Sequence, residues 1–239
     1  MNTIFMLSLK SALREPFLLF WSIAVPIAGT LILGYLVHQP DYAIRITTAM
    51  MAMGILFYGL TTTVFTLLAQ RRRGVFQLLK VTPLPLSAFV VSTSGAGTLV
   101  SLICGLLILT VGSLAFQIGL SPEALLMTSL VCLVAAMGYV LLSFFVSRLC
   151  RTEAQTSITA NLISMSLLLL SDAFYSLDVA PAIVTQFSRL NPFQWFLNGL
   201  RGALLRDFPQ WRFSLFVLAG FLGLALLLAI WSLKANDQR

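Results

Sequence analysis

The chain contains several uninterrupted apolar runs of about 20 residues or more, and this feature most constrains what it can fold into. The hydrocarbon core of a bilayer is about 30 Å thick, and an α-helix needs roughly 20 apolar residues to cross it. Only 10% of the 239 residues are charged and 59% are hydrophobic, whereas a soluble domain has roughly 25% charged residues. The composition therefore predicts an integral membrane protein.

The apolar runs predict an all-α fold with six transmembrane helices in a single domain over residues 1–239. A transmembrane barrel would need alternating strands of about 10 residues, whereas these runs are continuous and rich in leucine. In lipid, such runs satisfy their backbone hydrogen bonds as helices. The predicted spans are about 17–37, 46–69, 88–116, 124–146, 154–170 and 213–233.

Basic residues at the ends of the spans predict the orientation of the chain. Ten of the 15 Lys and Arg residues fall on the side that carries both termini, and five fall on the other side. Because Lys and Arg are enriched in cytoplasmic loops, we expect both termini to be cytoplasmic and the protein to lie in the plasma or inner membrane, in contact with its lipid. The net charge of +7 then reflects topology, so no nucleic-acid partner is expected.

The first 15 residues mix apolar, hydroxyl and basic side chains, and this mixed segment stops at Pro16. This pattern predicts a short N-terminal helix. It leaves two alternatives open, an amphipathic helix in the inner membrane interface or a solvated helix that leads into the first span.

The predicted spans contain no ionisable residue, although ion-coupled transporters need titratable or coordinating groups at depth. Asp172 follows the fifth run and is expected to be a solvated helix cap. The sequence has no phosphate-binding loop of the form G-x-x-x-x-G-K-[ST] and no His and Cys residues at metal-ligand spacing. We therefore expect no catalytic, cofactor or metal site, and energy for any pumping would come from another polypeptide.

The loop between the second and third spans, QRRRGVFQLLKVTPLPL, is the main basic interruption. Its glycine permits a bend, its apolar residues suit an interfacial helix, and its prolines stop that helix before the third span. Such a loop is able to transmit a push from a cytoplasmic partner, although the positive-inside rule alone also predicts its arginines. The candidate coupling residues are Arg71, Gly74, Phe76, Leu78, Leu79, Thr82 and Pro83.

The segment 172–212, on the opposite side, is too polar to span a membrane. Its apolar residues recur at helical spacing and predict two short amphipathic helices, the second with Asn191 as N-cap and Pro192 at its first position. This hairpin is either an external gate or a passive interfacial anchor. The candidate gate residues are Pro181, Asn191, Pro192 and Arg201.

Three motifs together resemble the membrane subunits of type 2 ATP-binding-cassette (ABC-2) exporters. The cytoplasmic loop is similar to the family pattern E-R-E-x-G-T-L-E-x-L-x-x-T-P-L, and the external segment is similar to a pattern in which Asn-Pro precedes an arginine. The matching residues are Arg71, Gly74, Leu78, Thr82, Pro83 and Leu84 in the loop, Pro181, Asn191, Pro192 and Arg201 in the external segment, and Arg14, Pro16 and Pro26 near the N-terminus.

The resemblance implies the permease subunit of an exporter, and the apolar spans suit a lipophilic or amphipathic substrate. The resemblance also implies a second permease subunit, in a homodimer or heterodimer, and a cytoplasmic ABC ATPase that holds ATP and Mg²⁺ and docks on the loop. Polar residues in the second and fifth spans are candidates for the path or the dimer interface, or simply pack helices together: Thr62, Thr66, Asn161 and Ser164. An energy-independent channel or facilitator is the alternative.

Overall fold

Helices make up the regular structure of the described chain, which confirms the predicted all-α class. The computed structural model describes residues 2–13, 16–37, 42–75, 86–175, 177 and 180–234, and no strand occurs among them. The elements are α1 (Asn2–Leu13), α2 (Pro16–Leu36), α3 (Tyr42–Leu56), a π-helix (Phe57–Thr62), α4 (Thr63–Arg72), α5 (Leu86–Phe116), α6 (Pro122–Leu149), α7 (Glu153–Leu169), α8 (Ala182–Ser188), α9 (Pro192–Leu204) and α10 (Phe208–Lys234).

Within the described ranges, five helical segments are long and apolar enough to cross a bilayer. They are Leu19–Leu36, Tyr42–Arg72, Ala88–Phe116, Pro122–Leu149 and Phe208–Ser232. They correspond to the first, second, third, fourth and sixth predicted spans. The fifth predicted span is α7, whose 17 residues give a length of about 25 Å, short of the roughly 30 Å hydrocarbon core. The fifth predicted span, and with it the total of six, thus stays a prediction.

The second crossing helix is continuous but changes its winding near its middle. The segments α3 and α4 are joined by the π-helix, where Thr63 Oγ1 donates to the carbonyl oxygen of Tyr58 at 3.2 Å. Gly59 brings this turn close to α6, since a Cβ atom there would lie only 3.2 Å from Cβ of Tyr139. The helix also begins at Tyr42, earlier than predicted, so that Arg45 lies in its first turns.

Side chains from α3, α5, α6, α9 and α10 form one buried core. At its centre the ring of Tyr139 on α6 lies 6.3 Å from the ring of Phe196 on α9 and 5.5 Å from the ring of Phe221 on α10. Phe193 and Phe196, on the apolar stripe predicted for the second short helix, are fully buried. The helix α9 therefore belongs to the core of the bundle.

The N-terminal helix α1 packs against the start of α5, a contact that neither sequence alternative included. The hydroxyl oxygens of Ser8 and Thr93 lie 3.4 Å apart, and Gly95 on α5 faces the ring of Phe5. Met6 and Leu7 on the other side of α1 are exposed. The N-terminal helix thus packs directly against the third crossing helix.

Local signals explain where α6 and α7 begin. Ser121 Oγ accepts a hydrogen bond from the amide of Ala124 at 3.1 Å, and Thr152 Oγ1 accepts one from the amide of Gln155 at 3.2 Å. Both side chains satisfy an amide that the first turn of a helix leaves without a carbonyl partner. The starts of these two helices are therefore determined locally.

We expect Phe196→Ala to lower the free energy of unfolding by about 3–5 kcal/mol, because it leaves a cavity beside Tyr139 that the core cannot fill. Titration of the detergent-solubilised protein with sodium dodecyl sulfate, followed by circular dichroism, measures this change. Phe187→Ala on α8 removes the same ring from an exposed position and should change it by less than about 0.5 kcal/mol. Equal losses in the two variants would contradict the central place of α9.

Candidate functional site

The predicted coupling loop begins at a sharp turn after α4. The amide of Arg73 donates to the carbonyl oxygen of Ala69 at 3.0 Å, and the amide of Gly74 donates to that of Arg71 at 3.1 Å. Gly74 has a φ of 73°, in the left-handed region that favours glycine. The bend predicted at Gly74 is confirmed.

Two arginines connect this turn to the neighbouring helices. Arg71 Nη1 donates to the carbonyl oxygen of Ser147 near the end of α6 at 3.2 Å. Arg72 Nη1 lies 2.6 Å from Glu153 Oε1 in the first turn of α7, in an ion pair whose side chains are 48% and 70% exposed. The first part of the loop is therefore attached to α6 and, more weakly, to α7. The predicted coupling residues Phe76, Leu78, Leu79, Thr82 and Pro83 lie outside the described residues.

The four polar residues predicted for the path or the dimer interface do not form one group. Ser164 is fully buried, and its hydroxyl lies 3.4 Å from that of Thr61 in the π-helix. Thr66 Oγ1 donates to the carbonyl oxygen of Thr62 at 3.0 Å. Asn161 is exposed on α7, where its amide donates to Ser157 Oγ at 3.3 Å. Asn161 therefore faces away from the bundle, whereas Ser164 faces into it.

A cavity of about 240 Å³ lies between α2 and the π-helix. Thr61 and Thr62 line it from the π-helix, and two aromatic side chains, Trp21 and Phe57, line it from either side. The cavity therefore combines apolar and aromatic walls with hydroxyl groups. The complete lining is Trp21, Ser22, Val25, Pro26, Met53, Phe57, Thr61 and Thr62.

At the other end of α7, Asn191 joins two helices. Its Oδ1 atom accepts a hydrogen bond from the amide of Phe193 at 2.9 Å, which confirms it as the N-cap of α9, with Pro192 in the first turn. Its Nδ2 atom donates to the carbonyl oxygens of Leu167 and Leu170 at 2.7 and 2.9 Å. One side chain thus caps the start of α9 and the end of α7.

Asp172 forms an ion pair with Arg201 beside this cap. Arg201 Nη1 lies 2.6 Å from Asp172 Oδ2, and the two side chains are only 15% and 20% exposed. Gln194 Oε1 accepts a hydrogen bond from the amide of Asp172 at 2.8 Å. The expectation that Asp172 is a solvated cap is therefore wrong, because its carboxylate is paired with a cation that lies 29 residues further along the chain.

Arg45 completes this group from the second crossing helix. Its Nη2 atom donates to the carbonyl oxygen of Asp172 at 3.0 Å and to the carbonyl oxygen of Tyr175. We call Arg45, Asp172, Gln194 and Arg201 the Asp172 cluster. Sequence reasoning missed Arg45 in it, and the available signal was a lone arginine at the start of an apolar run. The cluster joins α3, the segment 171–175 and α9.

Pro181 lies apart from the Asp172 cluster. It is exposed and precedes α8, where its carbonyl oxygen accepts hydrogen bonds from the amides of Val184 and Thr185 at 2.9 and 3.2 Å. Pro192 lines a groove of about 390 Å³ between α7 and α8, next to Asn191. Of the four predicted gate residues, three therefore lie at the junction of α7 and α9, and Pro181 only starts a helix.

The polar groups of this region mainly connect helices to one another. In the ranges that the structure describes, no group of three or more His, Cys, Asp or Glu side chains lies close enough together to hold a metal ion. The polar contacts instead join helix ends, and they lie at both ends of α7.

Comparison with known proteins agrees with this arrangement. A family model described as ABC-2 type transporter matches residues 1–205 of the chain. No curated protein matches the sequence. The matched part includes the Arg71–Gly74 turn, α7 and the Asp172 cluster. The chain therefore belongs to the ABC-2 type transporter family and is a membrane permease of an ABC transporter.

Proposed function

We propose that this permease exports a lipophilic or amphipathic substrate with energy from a separate cytoplasmic ABC ATPase, which holds ATP and Mg²⁺. The observation that carries the proposal is the turn from Arg71 to Gly74. It continues a crossing helix, has a left-handed residue at its bend and is bonded to the end of α6. A partner that displaces this turn moves α4 and α6 together. A rigid-body response of this kind is how ATP-driven closure of the ATPase would reach the membrane.

The exposed face of α7 supports a second permease subunit, in either a homodimer or a heterodimer. Asn161 lies on this face among apolar side chains that are also exposed. Its Nδ2 atom donates to Ser157 Oγ, and a neighbouring helix or a polar path would satisfy the hydrogen-bonding capacity that this one bond leaves unused. On this basis the proposed path lies between two copies or close relatives of the chain. Each subunit is proposed to have six spans and cytoplasmic termini in the plasma or inner membrane.

The cavity beside the π-helix supports a substrate with an apolar part. Its aromatic walls suit a ring or an acyl chain, and the hydroxyl groups of Thr61 and Thr62 suit a polar substituent. We assign Thr62 to the lining of the path on this basis. Ser164 contacts Thr61 on the neighbouring helix, and Thr66 bonds to Thr62 within its own helix. Their proposed role is to pack the helices around the cavity.

An ATP requirement distinguishes an exporter from a channel or facilitator. We expect the complex purified from its native membrane through a tag on this chain to hydrolyse Mg-ATP and the chain stripped of partners to hydrolyse none. In liposomes, the complex should concentrate a lipophilic cationic dye only when Mg-ATP is supplied on the side of the Arg71–Gly74 turn. Equal dye movement by the chain alone without ATP would favour the facilitator, and hydrolysis by the chain alone would contradict the need for a partner.

Gly74→Ala should uncouple the permease from its ATPase. A residue with a Cβ atom pays about 1–2 kcal/mol in the left-handed region, so the turn changes its path. This energy corresponds to a loss of roughly tenfold in dye transport per ATP hydrolysed, measured in liposomes that contain the complex. The matched control is Gly119→Ala, at a position where a Cβ atom meets no neighbour within 4 Å. Equal coupling in the two variants would contradict the role of the turn.

A further inference from the structure

The helix α7 is held against the bundle by a narrow row of small and polar side chains. Thr156, Ala160 and Ser164 are buried, and the closest polar contact of this row joins Ser164 to Thr61 at 3.4 Å. The opposite face carries large exposed apolar side chains, namely Ile158, Leu162, Met165 and Leu169. Because lipid is as apolar as these side chains, burying them would give little force for packing. Leu168, near the end of α7, is the one large side chain of this helix that is buried in the core. Contacts at the two ends of α7 therefore add much to its attachment.

The two ends of α7 are attached by unequal ion pairs. At its first turn, Glu153 pairs with Arg72, and both side chains are largely exposed. Past its last turn, Asp172 pairs with Arg201, and both are largely buried. An exposed pair contributes little because water and salt screen it, whereas a shielded pair interacts strongly. The Asp172 end is therefore the firmly held one.

The partners of Asp172 lie on helices that are themselves fixed. On α9, Leu197 and Leu200 beside Arg201 are fully buried, and on α3 the residue after Arg45, Ile46, is also buried. The segment 171–175 has no regular helix, and side-chain bonds from Arg45 and Arg201 hold it between α3 and α9. When the Asp172–Arg201 pair breaks, the hydrogen bonds of Asn191 and Gln194 still join the end of α7 and this segment to α9. The segment and the end of α7 are then the more weakly held parts.

The Asp172 cluster is also incompletely satisfied. Asp172 Oδ1 and Arg201 Nε are buried and have no hydrogen-bond partner among the described residues, so that the ion pair uses a single oxygen and a single nitrogen. Arg201 binds the carboxylate, whereas Arg45 binds the backbone carbonyl oxygen of the same residue. A bidentate pair would bind more strongly and with stricter geometry. The contact is thus strong enough to hold α7 and weaker than the same side chains could make it.

We propose that Arg45, Asp172 and Arg201 form a lock that holds the end of α7 against α3 and α9, and that opening this lock creates the exit for the substrate. The three are positioning residues, which act by holding a helix. The proposal rests on the proposed export function. It assigns the movement to α7, with α9 as the fixed wall of the exit.

Ser171 offers a direct measure of the lock. It is fully buried beside Asp172, and its hydroxyl donates to the carbonyl oxygen of Leu168 at 2.7 Å. In Ser171→Cys the thiol should react slowly with a hydrophilic maleimide while the lock is closed. The full complex in lipid nanodiscs is labelled without nucleotide, and mass spectrometry quantifies each cysteine. Cys132 on α6 is fully buried and reports unfolding of the whole subunit.

We expect Asp172→Asn and Arg201→Gln to raise labelling at position 171 at least about tenfold, the change that corresponds to a loss of about 1.4 kcal/mol, while Cys132 stays unlabelled. Arg201→Lys keeps the charge and should raise labelling less than Arg201→Gln. The matched control is Glu153→Gln, which breaks the exposed pair at the other end of the same helix and should leave labelling unchanged. Labelling that does not rise, that rises equally in Glu153→Gln, or that rises at Cys132 as well overturns the lock.

Mg-ATP separates this proposal from the export function. In the parent complex with Ser171→Cys, Mg-ATP should raise labelling at position 171 toward the level of Asp172→Asn. If the Asp172→Asn variant is labelled rapidly but Mg-ATP has no effect on the parent, the lock stands as the contact that holds α7, and ATP-driven opening is contradicted. If Mg-ATP raises labelling and Asp172→Asn does not, the exporter stands and the lock is overturned.

Discussion

Close packing of α3 side chains on the glycines of α5 is the constraint on which the rest of the structure depends. A Cβ atom at Gly105 would lie 2.5 Å from Cδ1 of Ile55, and one at Gly112 would lie 2.5 Å from Cγ2 of Thr47. In lipid, helices associate through such packing because apolar surface gains little by leaving an apolar solvent. The glycines let the second and third crossing helices meet closely enough for dispersion contacts to hold them. The helices α6 and α9 then pack against the same centre.

Polar contacts have a different role, because they lie mostly where helices end. Asn191 joins α7 to α9, Arg71 joins α4 to α6, and the Asp172 cluster joins α3 to α9. The Asn191 and Arg71 contacts satisfy carbonyl oxygens that a terminating helix leaves without partners, and Arg45 satisfies a carbonyl oxygen in the segment after α7. The same bonds thus satisfy local hydrogen-bonding needs and determine how one helix is positioned relative to another.

Much of the helical framework was predictable because hydropathy is a local property. The predicted span 88–116 corresponds to α5, Leu86–Phe116, and the N-cap at Asn191 followed from two adjacent residues. The bend at Gly74 was predictable because glycine is one of the strongest local signals for a turn. These features depend on neighbours in sequence, which is the information that one sequence contains.

The contacts that position α7 were not predictable in the same way. Arg45 binds the carbonyl oxygen of a residue 127 positions away, and Asp172 finds its partner across the junction of α7 and α9. The sequence around Asp172 indicates a solvated cap, because its partner Arg201 is not a neighbour in sequence. The contact of α1 with α5 was missed for the same reason, since Ser8 and Thr93 are ordinary residues until the fold brings them together. Hydropathy does not predict which residues form tertiary pairs of this kind.

The π-helix in the second crossing helix determines the direction in which Arg71 points. An α-helix turns by about 100° per residue, and a π-helix turns by less because its hydrogen bonds reach one residue further. If residues 57–62 were wound as an α-helix, α4 would be rotated about its axis relative to α3, and Arg71 would no longer face the carbonyl oxygen of Ser147. The wide turn at Gly59 therefore sets the rotation of α4 about the helix axis relative to α3. With this rotation, α3 packs its buried side chains in the core, and the arginines at the end of α4 contact α6 and α7.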